Sequence, residues 1–317
     1  MRRFLIKLAL FCALNAAAAA AFMLILDGRR DAPPCGTNSM LFRIPRDSHR
    51  EIVVLGSSHG LILSFYEESQ AALRDGLGCE PLNLSKIAAG VVPEKCYLSY
   101  YFARGNSADT LVYIIDPWLF HSRIWNEDNV FLMDEPFRPG FLAVAIENRV
   151  SLRRIAAHIP ARFSPKWVVK GPHHEIRWPR FSGVVDPDSV RNRLAVLYPD
   201  GTSDALFKRY AAVLEELIAD ANARGTRVVL VCPPTLLGPL PGHDEMAALL
   251  RSYEGRHDAT FVDLSTAITD PALYRDHDHL NARGVGVLAR DYLRPVLAGT
   301  AAPRPARKPR KPPGRGV

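Results

Sequence analysis

The sequence predicts an α/β fold, a three-layer sandwich in which helices cover both faces of a central, mainly parallel β-sheet. Short runs rich in β-branched residues alternate with longer segments whose apolar residues recur at helical spacing. The connections between them are short. Strands that alternate with helices in this way form βαβ units, which build parallel sheets covered on both sides.

The predicted elements follow one another in a regular order. Strands are predicted at 51–56, 81–85, 110–115, 226–232 and 260–264. Helices are predicted at 64–77, 93–104, 204–224, 246–253 and 281–297. Asn281 is expected to cap the last helix, because a side-chain oxygen at that position accepts a hydrogen bond from the first turn. Residues 51–298 are therefore expected to form one α/β domain.

Segments outside this alternation have other predicted roles. Residues 118–198 contain clusters of aromatic and basic residues and are predicted to be an insertion near the carboxyl ends of the strands, where open α/β sheets bind ligands. A purely structural flap is the alternative. Residues 27–50 are predicted to be a linker, and residues 299–317 a disordered, basic, Pro-rich tail. Six basic residues of that tail account for six of the seven net positive charges, which argues against a nucleic-acid-binding face on the domain.

The N-terminal segment, residues 1–26, is predicted to be a membrane anchor. Three basic residues within 1–7 precede an apolar run at 8–26 that only Asn15 interrupts. A helix of that length spans a bilayer core of about 30 Å. A cleaved signal peptide is the alternative, because alanines at 16–21 offer cleavage sites. The apolar run continues beyond them, which favours an uncleaved anchor with the domain outside the cytoplasm.

Two motifs at opposite ends of the domain carry candidate chemistry. The first predicted strand ends in Gly56 and is followed by two serines. Ser58 would then lie at the edge of the sheet, beside backbone N–H groups that favour developing negative charge. Taken alone, a serine in this position is more often a helix cap than a nucleophile. In the second motif, Asp276 and His279 share one tight loop before the last helix. The aspartate can hold the histidine Nδ1 so that Nε2 faces a serine hydroxyl, which needs such a base.

Together these motifs resemble the first and last blocks of the SGNH/GDSL hydrolase superfamily over residues 51–297. The resemblance implies an SGNH/flavodoxin-like sheet with Ser58 as nucleophile and Asp276 and His279 as its partners. It also implies an oxyanion hole made by the backbone N–H groups of Ser58 and Gly90, since 83–90 is similar to the second block. His59, Asn83 and Asp116 are expected to line the site.

One residue departs from the family pattern. The family places an asparagine after the third strand as an oxyanion donor, whereas this chain has Asp116 there. A carboxylate would repel an oxyanion, so either the site works with fewer donors or Asp116 is turned away or structural. His59 is expected to be a partly exposed residue of the first helical turn.

The resemblance is to membrane-anchored bacterial envelope proteins of this superfamily that acylate polysaccharides or teichoic acids. It implies a periplasmic esterase or O-acyltransferase tethered to the inner membrane, acting on an acylated carbohydrate or another ester, with a membrane acyltransferase as a partner. Neither a cofactor nor a metal is expected, although the Asp/His run 276–279 offers metal ligands as an alternative. A catalytically weak scaffold is the second hypothesis. Cys79 and Cys96 are expected either to pair or to be free thiols.

Overall fold

Five parallel strands form the sheet at the centre of the domain. The computed structural model describes residues 1–28, 39–127, 131–161, 163, 181–238 and 240–299. The strands are β1 (His49–Gly56), β2 (Leu82–Asn83), β3 (Ser107–Ile114), β4 (Arg227–Cys232) and β5 (Ala259–Asp263). They lie in the order β2-β1-β3-β4-β5, and every neighbouring pair is parallel. The predicted α/β fold with a flavodoxin-like sheet is confirmed.

Helices flank this sheet. Those of the alternating units are α2 (Ser58–Phe65), α3 (Glu67–Leu77), α4 (Val91–Ala103), α9 (Asp204–Ala223) and α10 (His243–Tyr253). The insertion contributes α5 (Arg123–Asn126), α6 (Pro139–Glu147), α7 (Leu152–Ala161) and α8 (Pro187–Leu197). The last helix begins as α11 (Ala282–Val287) and continues through a π-helical segment, Leu288–Leu293, into α12 (Arg294–Gly299). Short 3-10 turns occupy Pro117–Phe120, Phe131–Asp134 and Pro271–Leu273.

The core lies on both faces of β1 and β3. The neighbouring residues Val53 and Val54 of β1 point to opposite faces of the sheet and are both buried, as are Leu111 and Val112 of β3. Strands buried on both faces need such continuous apolar runs, which is why β1 and β3 could be predicted from composition. Each fully buried aliphatic side chain stabilises the fold by roughly 1.5–3 kcal/mol. The apolar ends of these strands therefore hold the residues that follow them in fixed positions.

Element boundaries differ from the predictions where side chains intervene. The first helix begins at Ser58, six residues earlier than predicted, and is kinked at Ser64 before α3 begins. Strand β2 has only two residues, because the Asn83 side chain accepts a hydrogen bond from the N–H of Ser85 and turns the chain. The cap at Asn281 is confirmed, since its side chain accepts from the N–H of Gly284 at 3.1 Å.

The residues that precede the domain pack onto it. Within the predicted linker 27–50, Met40, Leu41 and Ile44 are buried. The carboxylate of Glu135 accepts hydrogen bonds from the N–H groups of Met40 and Leu41, both at 3.1 Å. Residues 39–50 are thus part of the folded body. Residues 29–38, the tail 300–317 and much of the insertion, 128–130, 162 and 164–180, lie outside the described residues.

Helix α1 (Arg2–Gly28) is the one described helix with the length and composition to cross a membrane. Its 24-residue candidate span, Arg2–Ile25, contains an 18-residue window with a mean hydropathy of 2.3. A signal sequence near the N-terminus has the same properties.

Cys79 and Cys96 are free thiols in this structure, Cys96 buried and Cys79 half-buried. Burial raises the pKa of both thiols, that of Cys96 to about 12. The two cysteines were expected either to form a disulfide or to be free thiols, and the structure agrees with free thiols.

Candidate active site

The candidate site lies where the strand order reverses. β1 is flanked by β2 on one side and by β3 on the other, so the connections that leave β1 and β3 diverge and open a crevice at their carboxyl ends. Ser57 and Ser58 follow β1 and begin α2, and Asp116 follows β3 by two residues. The fold therefore brings the two serines of the first motif close to Asp116, the residue that departs from the family pattern.

Ser58 is the first residue of α2 and is buried except for about 7% of its surface. Because it begins the helix, its backbone N–H has no acceptor within the helix and forms part of the positive end of the helix dipole. Within the described part of the chain, Ser58 Oγ makes no hydrogen bond. The hydroxyl of Ser58 is thus slightly exposed and has no hydrogen-bond partner among the described residues.

Asn83 holds the first turn of this helix in place. Its Nδ2 donates to the carbonyl oxygen of Gly60 at 2.8 Å, while its Oδ1 accepts from the N–H of Ser85 at 2.9 Å. A Cβ atom at Gly60 would stand only 2.4 Å from Ser85 Oγ, so α2 packs directly on the loop after β2. Asn83 therefore determines where Ser58 sits through the backbone of α2.

The predicted base and orienter are together. His279 Nδ1 lies 2.9 Å from both carboxylate oxygens of Asp276. Asp276 Oδ1 also accepts the backbone N–H groups of Asp278 and His279, at 3.0 and 2.8 Å. The same carboxylate thus fixes the loop and the imidazole. With Nδ1 as the donor to Asp276, Nε2 carries the lone pair that a general base needs.

His59 and Asp116 form a buried ion pair beside Ser58. His59 Nδ1 lies 2.8 and 2.9 Å from the two oxygens of Asp116, and Ser57 Oγ donates to Asp116 at 3.3 Å. His59 is only 4% exposed and Asp116 1%. The expectation of a partly exposed His59 is therefore wrong, because its ring turns inward to the carboxylate. The carboxylate oxygens of Asp116 are engaged by His59 and Ser57, which fits the alternative of a structural role for Asp116.

Asp278 has a place in the site that the sequence motif did not assign to it. Its Oδ2 lies 3.3 Å from His59 Nε2 and accepts from Arg193 Nε at 2.7 Å, while its Oδ1 lies 3.2 Å from His279 Nδ1. Arg193 belongs to α8 of the insertion, so the insertion reaches the loop that carries Asp276 and His279. The Asp/His run suggested Asp278 as a candidate, but nothing in the sequence pattern connects it with Arg193.

The charges of this cluster determine its protonation. Burial disfavours the imidazolium of His59, but Asp116 and Asp278 outweigh burial and raise the pKa of His59 to about 10. Burial also disfavours the carboxylate of Asp278, yet the imidazoles of His279 and His59 hold its pKa well below the usual range. At neutral pH the cluster therefore contains a cationic His59 between two carboxylates.

The two motifs meet through ring packing. The rings of His59 and His279 have centroids 4.8 Å apart, tilted by 49°. Because His59 directly follows Ser58 in the chain, this contact places the predicted base beside the segment that carries the predicted nucleophile. No hydrogen bond joins Ser58 to His279 among the described residues. Catalytic hydrogen bonds are often long without substrate and tighten when it binds.

The structure does not support Gly90 as an oxyanion donor. Its N–H donates to the carbonyl oxygen of Trp125 at 2.9 Å. A Cβ atom at Gly90 would lie 2.5 Å from the side-chain oxygen of Asn126, so a glycine is needed for the insertion to approach. Asn126 in turn donates to the carbonyl oxygens of Leu119 and Ser122. The family resemblance gave no sign that the Gly90 N–H donates a hydrogen bond to the insertion of this chain.

Comparisons with known proteins are sparse for this chain. No protein-family model matches it, and no curated protein does. It is similar to the crystal structure of a putative acylhydrolase from Bacteroides fragilis, with 12% identity, 81% of this chain and 91% of that chain covered, and a TM-score of 0.41. Another similar structure is the 3-alpha-hydroxysteroid dehydrogenase from Pseudomonas sp. B-0831 complexed with NADH, with 15% identity, coverages of 68% and 96%, and a TM-score of 0.22. At these TM-scores neither likeness assigns a function, and the functional argument rests on the site itself.

One further property of the cluster concerns metals. His59, Asp278 and His279 offer ligand atoms that all lie within 4.8 Å of one another. However, Asp116 and Arg193 already pair with this group and balance its charge without an added cation. The arrangement thus suits proton transfer better than metal binding. The histidines 173 and 174, which could have added ligands, lie outside the described residues.

Proposed function

We propose that this protein is a serine hydrolase or acyltransferase of the SGNH type that acts on ester bonds through Ser58. The observation that carries the proposal is the pairing of His279 Nδ1 with both oxygens of Asp276 at 2.9 Å, in a loop whose histidine packs against the residue after Ser58. A base held in one tautomer next to a serine at a helix N-terminus is the arrangement that acyl transfer requires.

In the proposed reaction Ser58 Oγ attacks the carbonyl carbon of the ester and its proton passes to His279 Nε2. Asp276 stabilises the imidazolium that forms. When the tetrahedral intermediate collapses, the C–O bond to the leaving alcohol breaks and that alcohol takes the proton from His279. The acyl group on Ser58 then passes to water in hydrolysis, or to a sugar hydroxyl in transfer, with His279 accepting the proton of the incoming hydroxyl. The bond between the acyl carbon and Ser58 Oγ breaks, and His279 returns the proton to Oγ.

Stabilisation of the oxyanion is proposed to come from the N-terminus of α2. The backbone N–H of Ser58 supplies one donor, and the positive end of the helix dipole adds to it. The cationic ring of His59 lies in the next position and places a buried positive charge near the reacting carbonyl. The ion pair with Asp116 holds the imidazolium of His59 in this position. His59 in turn neutralises the carboxylate of Asp116, which alone would repel an oxyanion.

The proposed substrate is an acyl ester of a cell-envelope polysaccharide or related glycan. Helix α1 has the length and composition to span a membrane. In this proposal it tethers the domain to the inner membrane, with the site on the periplasmic side. Where it is described, the insertion contacts the loop that carries Asp276 and His279. Phe181 packs edge-on against His277, with ring centroids 5.1 Å apart, and Arg193 donates a hydrogen bond to Asp278. A membrane acyltransferase would be a natural donor of the acyl group in the transfer reaction.

Hydrolysis of a chromogenic acetyl ester by the full-length protein in mild detergent tests the proposal. We expect activity in the wild type and a loss of at least about 10³-fold in His279→Ala. His257→Ala is the matched control, because His257 also faces a carboxylate, that of Glu215 at 3.5 Å, but on the far part of the domain. Equal activity in wild type and His279→Ala would contradict the proposed mechanism.

A catalytically weak scaffold for an envelope acylation machinery is the second candidate. It is favoured by the engagement of the Gly90 N–H with Trp125 and by Asp116 in place of an oxyanion donor. Removal of one donor costs about 10²–10³ in rate. If the wild type hydrolyses no ester while a Ser58→Ala variant still supports acylation of the envelope in cells, the scaffold is the better account.

A further inference from the structure

A second cluster of potential ligands lies at the carboxyl ends of β4 and β5. Cys232 ends β4, Asp263 ends β5, and these two residues are direct partners in the parallel register. His243 is the first residue of α10. Partners in register on neighbouring strands present their side chains to the same face of the sheet. We propose that Cys232, His243 and Asp263 bind one Zn²⁺ ion.

The distances suit a zinc ion of three protein ligands. The ligand atoms of these residues all lie within 4.8 Å of one another, and His243 Nε2 is 3.0 Å from Asp263 Oδ2. Zinc bonds of about 2.3 Å to sulfur and about 2.0–2.2 Å to nitrogen and oxygen separate tetrahedral ligand atoms by roughly 3.3–3.8 Å. A side-chain adjustment of less than about 1 Å therefore closes the site around an ion.

Asp244 and Ser265 contact two of the proposed ligands and orient them towards the proposed ion. His243 Nδ1 pairs with Asp244 Oδ1 at 3.2 Å, so that the ring presents Nε2 to Cys232 and Asp263. Asp263 Oδ1 accepts from the N–H and the hydroxyl of Ser265, which leaves Oδ2 for the ion. Ligating histidines commonly donate their other nitrogen to a carboxylate in this way.

The facing pair of His243 and Asp263 is one that a metal ion can take over. Without a metal, His243 Nε2 pairs with Asp263 Oδ2 at 3.0 Å. A divalent cation displaces the proton that lies between the two atoms and replaces this pair with one bond to each of them.

The donor set selects the ion. One thiolate, one imidazole and one carboxylate match Zn²⁺, whereas Mg²⁺ and Ca²⁺ prefer oxygen ligands throughout. Cys232 is buried, while the side chains of His243 and Asp263 are 18% and 25% exposed, so the fourth position opens towards solvent and takes water. The ion would tie α10 to the ends of β4 and β5. This site is independent of Ser58 and of the proposed function.

Cobalt substitution tests the site. Full-length protein in detergent is treated with chelator, reduced, and titrated with Co²⁺, whose bond to a thiolate gives a charge-transfer absorption band. We expect the band to saturate at one Co²⁺ per chain and to be bleached by Zn²⁺. Cys232→Ser should abolish it, while Cys79→Ser, which changes a half-buried thiol elsewhere, should retain it.

Two ligand variants keep the test decisive if Cys232→Ser fails to fold. His243→Gln and Asp263→Asn change partly exposed side chains, and each should weaken Co²⁺ binding at least tenfold while the circular dichroism spectrum stays that of the wild type. The proposal is overturned if the wild type shows no band, if the band persists in Cys232→Ser, or if both ligand variants bind as the wild type does. Binding without a thiolate band would place the ion elsewhere and overturns it too.

Discussion

His59→Gln is expected to remove a large, pH-dependent part of the stability. Glutamine keeps a hydrogen-bond donor for Asp116 but carries no charge, so the buried carboxylates of Asp116 and Asp278 lose the cation between them. The pKa of His59 rises from 6.5 to about 10 in the folded protein. At about 1.4 kcal/mol for each pH unit, this corresponds to roughly 5 kcal/mol. Breaking a buried ion pair by removing one partner costs about 3–5 kcal/mol, which agrees.

The sign of the pH dependence follows from the direction of the shift. Because the folded pKa of His59 lies above the unfolded value, the stabilisation is present in full below about pH 6.5 and is lost as the pH rises towards 10. The difference in unfolding free energy between wild type and His59→Gln should therefore be largest near pH 6 and should shrink by roughly 3 kcal/mol by about pH 9.

Urea unfolding of the full-length protein in mild detergent, followed by circular dichroism at both pH values, measures this difference. His257→Gln is the control, since its pair with Glu215 is longer and partly exposed and should contribute at most about 1 kcal/mol. A His59→Gln variant within about 1 kcal/mol of the wild type near pH 6 would refute the assignment of a buried charge to His59. A difference that does not change with pH would refute it as well.

Two further predictions follow from the same geometry. Asp276→Asn should leave the fold intact but lower kcat for ester hydrolysis by about 10³–10⁴-fold, because the amide stabilises the wrong tautomer of His279; steady-state kinetics and circular dichroism check this, and a loss below tenfold would count against Asp276 as orienter. Gly60→Ala should destabilise the protein by about 1–3 kcal/mol, because the new Cβ would meet Ser85 Oγ at 2.4 Å. Adding Ser85→Gly should recover most of that loss in thermal unfolding, and a double variant no more stable than Gly60→Ala would contradict the contact.

The parts of the fold that follow from local patterns could be predicted from the sequence. β1 and β3 are continuous apolar runs because both of their faces are buried, and Asn281 caps its helix through a contact three residues away. The contact between Asp276 and His279 is equally local, so this pairing could be predicted from their spacing. Local side-chain chemistry and the period of the apolar residues are both visible in a single sequence.

Contacts between distant segments could not be predicted in this way. His59 meets Asp116 across 57 residues because β1 and β3 are neighbours at the switch point, a fact of topology. Arg193 reaches Asp278 from an insertion whose course follows no simple period. The same insertion occupies the N–H of Gly90, which overrides what the resemblance implied for that residue. In each case tertiary packing decides the partner of a polar group.

The most direct test of the central claim is the site of covalent labelling by a fluorophosphonate, which reacts with activated serine nucleophiles. Peptide mass spectrometry of the labelled full-length protein should place the adduct on Ser58. Labelling should be lost in Ser58→Ala and strongly reduced in His279→Ala, but unchanged in Ser252→Ala, an exposed serine of α10 whose hydroxyl donates to the Leu249 carbonyl. Equal labelling of wild type and Ser58→Ala, or an adduct on another residue, would contradict the account.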